Sequence, residues 1–225
     1  AASTPAWFWH VVLHNDGPEA ELDLVWAQDV ALADYGAVRL NEYYVSQYVD
    51  HTPLAHSRHG AVLAVRQNLS VGGRHPWLVL GSLGRGVRFA TDALQLFGLA
   101  ARSGGEPAGL AADLPGTRLQ HEHAMAAIQD APVRLAHGAS AARGFFAWLE
   151  PDHAGASSPD DLAFVGRALA LPEAAPPAAP AAPRAGAWPS SRRRAGRRRS
   201  RALLPWSSRS RAPRRPRGTS RPGSC

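Results

Sequence analysis

An all-β fold is what this sequence predicts: a large antiparallel β-sandwich with one or two short helices and a disordered C-terminal tail. Two observations carry that reading. Apolar or alternating stretches of strand length recur along the first 150 residues, and clusters of Gly, Pro, Asp and Asn separate them at intervals too short for long helices.

The elements follow in order. WFWHVVLHNDGPEAELDLVWAQDV reads as two strands around Asn15, Asp16, Gly17 and Pro18, turn chemistry that predicts a hairpin with Leu22, Leu24 and Trp26 on one face. Further strands are expected at 43–51 (YYVSQYVDH), 60–68 (GAVLAVRQN), 76–83 (PWLVLGSL), 86–91 (GVRFAT), 117–130 (TRLQHEHAMAAIQD) and 141–150 (AARGFFAWLE). A helix is expected at 91–100, with Thr91 or Asp92 as its cap. A second begins at Ser158, where Pro159 occupies the first position and Asp160 and Asp161 complement the dipole. It places Leu162, Val165, Ala168 and Leu169 on one face.

Charge divides the chain into two materials. All 18 acidic residues precede residue 175 together with 11 arginines, for a net charge of −7, whereas the rest carries 14 arginines and no acid. Residues 1–172 are expected to form one sandwich domain, N-terminally incomplete because the sequence lacks an initiator Met and enters almost directly into a strand-like run. Residues 173–225 are expected to be a Pro/Ala linker and an Arg-rich tail, of the kind an out-of-frame reading of a GC-rich gene produces. Such a tail could bind nucleic acid by counterion release, an alternative function weakened by the acidic body, which offers no second basic surface. The lone Cys225 leaves nothing to pair and points to a reducing, cytoplasmic location. No apolar run is long enough for a membrane helix, so no membrane partner is expected.

Candidate chemistry is sparse. His121 and His123 alternate onto one strand face but lack a glutamate at the offset a double-histidine metal site needs, and Asp50, His51, His56 and His59 match no zinc spacing. LGSLGRG fits neither a nucleophile elbow nor a dinucleotide fingerprint and reads as a turn between strands. Planar polar and aromatic side chains suit sugar hydroxyls and ring faces. Tyr43, Tyr44, Gln47, Arg66, Gln67, Asn68, His121 and His123 are the candidate sugar-binding residues, with no catalytic, metal or cofactor-binding residue among them.

VWAQDVALADYGAVRLNEYYVSQYVDHTPL, GAVLAVRQN, GGRHPWLVLGSLGRGVRFATDALQLFGLA, LPGTRLQHEHAMAAIQDAPVRLAHG and GFFAWLEPDH together resemble the N-terminal β-supersandwich domain of glycoside hydrolase family 94. That family includes cellobiose and chitobiose phosphorylases, 1,2-β-oligoglucan phosphorylases and cyclic β-1,2-glucan synthases, formerly grouped as glycosyltransferase 36. The resemblance implies a galactose-mutarotase-like supersandwich that binds carbohydrate and assists assembly without catalysing. It implies inverting phosphorolysis by the parent enzyme: a carboxylic acid protonates the leaving oxygen while inorganic phosphate attacks the opposite face. The acid and the phosphate pocket belong to an (α/α)6 barrel that this sequence does not contain. The implied partners are a β-linked gluco-oligosaccharide, that barrel and a second copy of the chain.

Overall fold

The computed structural model describes residues 5–120, 123–176 and 200–204. Ten strands form one curled sheet: β1 (Ala6–His14), β2 (Ala20–Asp29), β3 (Val49–His56), β4 (Gly60–Gln67), β5 (Trp77–Ser82), β6 (Gly86–Asp92), β7 (Ala124–Asp130), β8 (Val133–Leu135), β9 (Ser140–Glu150) and β10 (Ser200–Leu204). Four helices accompany them: α1 (Tyr35–Ser46), α2 (Ala93–Phe97), α3 (Ala108–Ala111) and α4 (Leu162–Leu169). The order is β1-β9-β5-β4-β6-β7-β2-β10, with β3 on β4 and β8 on β2. The all-β sandwich expected from the sequence is the fold observed.

The sheet folds over where β4 meets β6, a single bridge between Gly60 and Gly86. Both residues must lack a side chain, since a Cβ on Gly60 would lie 2.2 Å from the Gly86 oxygen and one on Gly86 would lie 2.3 Å from the Ala61 oxygen. On one side of this corner lie β1, β9, β5, β4 and β3; on the other lie β6, β7, β2 and β8. The central core fills the space between the halves, with Leu63, Val65, Leu78, Leu80 and Phe145 from the first and Leu24, Trp26 and Ile128 from the second. Trp26 and Phe145 meet across it at 5.7 Å.

Each half is also covered on its outer face. Helix α4 sets Val165 and Ala168 against Val62, Trp77, Val79 and Phe146, and α2 with its neighbours sets Leu96 and Leu114 against Val25, Met125 and Ala127. Burial on both faces explains the continuous apolar runs of β4, β5 and β7. Both predicted caps form. Asp92 starts α2 in a capping box with Gln95, and Ser158 pairs reciprocally with Asp161 ahead of α4.

The structure corrects three expectations. β1 and β2 are not a hairpin: β1 pairs along its whole length with β9, and β2 pairs with β7, β8 and β10. Asn15 shows why, because its amide donates to Pro18, Leu135 and Ala136 oxygens and so ties the turn to the β8–β9 connection. The strand expected at 43–51 forms only from Val49, where β3 begins: α1 runs to Ser46, broken at Asn41, whose side chain accepts from Tyr44 N–H and restarts the turn. The strand expected at 117–130 begins only at Ala124. In the tail, Ser200–Leu204 pair in parallel with Leu22–Trp26, while residues 177–199 and 205–225 lie outside the described residues.

Candidate functional site

A groove of about 600 Å³ opens where α1, α2 and the ends of β2 and β7 converge, lined by Asp29, Glu42, Tyr43, Ser46, Leu94, Phe97 and His123 among others. Its size lies within the range of small-ligand sites. The Asx-capped α2 brings Leu94 and Phe97 to one wall, and the restarted turn of α1 brings Glu42 and Tyr43 to another. Tyr43 meets the His123 ring edge-on at 6.1 Å. His123 is placed by its backbone, whose N–H donates to Asp92 Oδ2 at 2.8 Å. Asp92 thus caps α2 with one oxygen and fixes the start of β7 with the other.

The chemistry of the lining is acidic and aromatic. Asp29 and Glu42 offer carboxylate acceptors for hydroxyl groups, Tyr43 and Phe97 offer ring faces, and His123 can donate or accept. Beside it, Asp50 Oδ1 accepts from Arg118 at 2.6 Å and from the Gln120 amide at 3.1 Å. Arg118 also donates to Gln120.

His51 lies next to this network with 1 % exposure, and neither ring nitrogen has a hydrogen-bond partner among the described residues. Burial lowers its pKa to about 4; the Arg118 charge pushes the same way, and Asp50 and Asp92 oppose them. The imidazole is therefore neutral at ordinary pH.

The residues proposed from sequence divide. Tyr43 and His123 meet in the groove, while His121 lies outside the described residues. Tyr44 and Tyr48 sit beside it, exposed and edge-to-face at 5.1 Å, with Gln47 exposed between them. Arg66, Gln67 and Asn68 stand at the end of β4, outside the groove lining. Arg66 donates twice to the His153 oxygen, at 3.1 and 2.9 Å, and also to Asn68 Oδ1. Gln67 is fully buried and donates to the Ala31 and Val45 oxygens. Sequence reasoning missed Asp29, Glu42 and Phe97. The signal for Phe97 was its place before Gly98 at the end of a capped helix, whereas nothing local marked Asp29.

The metal readings find no support among the described residues, which contain no group of three or more ligand-type side chains suited to an ion. The His56 and His59 rings meet tilted at 54° with centroids 5.1 Å apart, but His56 Nδ1 accepts backbone N–H groups from Arg58 and His59. No described helix is long and apolar enough to cross a membrane.

The fold is a two-layer all-β sandwich with an aromatic and acidic groove. The chain belongs to the SOGP N-terminal domain family, which matches residues 1–147. It is 33 % identical over 154 residues to a 1,2-beta-oligoglucan phosphorylase of Listeria innocua, a match covering 68 % of this chain and 14 % of that protein. This is a domain related to glycoside phosphorylases, and it spans about one seventh of the curated relative. The family match ends before the arginine-rich segment, which does not favour the nucleic-acid alternative.

Proposed function

We propose that this chain is the non-catalytic, sugar-holding domain of an inverting phosphorylase of glycoside hydrolase family 94, acting on β-linked gluco-oligosaccharides. The observation that carries the reading is the groove in which Tyr43 meets His123 edge-on and which Asp29 and Glu42 also line, in a chain related to an oligoglucan phosphorylase. Tyr43 and Phe97 would pack on pyranose faces while Asp29 and Glu42 accept hydroxyl hydrogens. The catalytic acid and the phosphate come from an (α/α)6 barrel, and this domain contributes binding alone. The exposed Tyr35, Tyr44 and Tyr48 on and after α1 are then the surface that barrel, or a second copy, covers.

Saturation-transfer NMR on the 225-residue chain, comparing β-1,2- with β-1,4-linked gluco-oligosaccharides, tests this. Saturable binding in the millimolar range is expected for the 1,2-linked series, weakened at least about fivefold by Tyr43→Ala. Absence of binding by either series overturns the sugar-holding role. Release of glucose 1-phosphate by the chain alone overturns the non-catalytic one.

A further inference from the structure

We propose that a second groove, at the β3–β4 turn, β9 and the segment 169–176, is a binding site for a small oxyanion: the phosphate or carboxylate group of a low-molecular-weight ligand. The groove has a volume of about 460 Å³. Its polar lining is His10 from β1, Arg58 and His59 from the β3–β4 turn, and Arg143 from β9. These come from three places in the sequence, and each can carry positive charge.

One carboxylate answers them, and it is committed elsewhere. Asp130 is buried, and its Oδ1 accepts from Ser82 Oγ at 2.7 Å and from Arg85 N–H at 3.2 Å. Its Oδ2 lies 3.3 Å from Arg143 Nε. Arg143 also donates from Nη1 to the Ala142 oxygen at 2.9 Å, so two protein contacts fix the guanidinium before any ligand arrives. Arg58 is exposed and has no ion-pair partner among the described residues. Two guanidiniums against one carboxylate leave the groove positive.

The histidines add to this. His59 Nδ1 faces the Ser82 oxygen at 3.2 Å, and His10 Nε2 faces the Glu173 oxygen at 2.8 Å. A carbonyl only accepts, so those nitrogens carry the hydrogens. The opposite nitrogen of each ring takes no part in those two contacts. Burial, and after it the neighbouring His59 and Arg58, lower the pKa of His56 at this turn. Leu83, Leu169, Leu171 and Pro172 give the groove an apolar wall for the organic part of a ligand.

The test uses the ¹⁵N-labelled 225-residue chain, followed through its imidazole and arginine side-chain resonances during titration with inorganic phosphate, a sugar phosphate and acetate. Reading His10 and His59 separates the groove from the 14 arginines beyond residue 175. Saturable shifts of both histidines are expected with at least one of these ions. A lower midpoint for phosphate or for acetate identifies which oxyanion the site prefers. Arg58→Gln, on an exposed turn, should weaken the response at least about fivefold with an unchanged unfolding temperature. Arg143→Lys, which keeps the charge and loses the planar fork, should weaken it about twofold to threefold. If His10 and His59 stay fixed at about 10 mM ligand while arginine signals move, the anion is held by the tail and the proposal falls. It falls equally if both variants titrate like the wild type.

Discussion

The two grooves use one local device and reach opposite chemistry. The first has a wall on α2, which the capping box of Asp92 with Gln95 starts; the second takes Leu169 and the segment after it, at the far end of the helical run that the box of Ser158 with Asp161 opens. The α2 groove ends up with Asp29, Glu42, Tyr43 and His123; the α4 groove ends up with Arg58, Arg143, His10 and His59. Capping decides where a wall stands. The strand ends and turns that meet the wall, drawn from distant sequence, decide what the groove attracts.

Substitution at the fold corner should break the comparison most severely. Gly86→Ala forces a Cβ against the Ala61 oxygen beside the Arg58–His59 turn. A loss of about 3 kcal/mol is expected in denaturant unfolding, with the cationic groove disrupted before the acidic one.

Next in size is a pH effect confined to the acidic side. The folded pKa of His51 is about 4 against an ordinary 6.5, so the unfolded chain takes up a proton first as pH falls. Stability is therefore lost between pH 6.5 and about 4, by up to about 3 kcal/mol. Asp130 opposes this, since burial raises its pKa and acidification relieves its buried charge. His51→Gln leaves Asp130 in place, so the difference between the two unfolding curves isolates His51. Parallel curves from pH 7 to 4 would refute the assignment.

The two caps should differ in cost. Asp92→Ala strips an acceptor from both Leu94 N–H and His123 N–H and should cost about 2 kcal/mol, moving the His123 ring relative to Tyr43. Ser158→Ala removes an acceptor for Asp160 N–H at 3.3 Å while Asp161 still accepts from Ser158 N–H, and about 1 kcal/mol is expected. Thermal unfolding of both variants checks the ranking.

The smallest effects sharpen the comparison by crossing it. Tyr43→Ala and Arg58→Gln remove exposed side chains and should each change stability by less than about 0.5 kcal/mol. Tyr43→Ala should leave the phosphate response of His59 intact, and Arg58→Gln should leave oligosaccharide binding intact. An effect of either variant on the other groove would show that the grooves are coupled.

Much of the fold was legible because its signals are local. β4, β5, β6 and β9 appear within one or two residues of their expected ranges, and both caps appear where Asp92 and Ser158 stand. The region from Tyr43 to Tyr48 misled because aromatic residues favour strands when their neighbours pair, and here Val45 and Ser46 are buried while the tyrosines face outward from α1. Of the candidate site, Tyr43 and His123 were named in advance, but their 6.1 Å meeting was not.

By itself the sequence determined an all-β body, the starts of two helices, the glycine-rich turn between β5 and β6 and the split between an acidic body and a basic tail. These follow from strand-length apolar runs, side-chain caps and composition, each readable over a few residues. The tertiary structure alone decided that β1 pairs with β9 and not β2, that Arg66 and Gln67 are occupied by backbone carbonyls, and that His10, Arg58 and Arg143 face one groove. Those outcomes depend on which edges and faces meet when the sheet curls. Long-range register of that kind is a property of the whole packed core, and no short stretch of sequence encodes it.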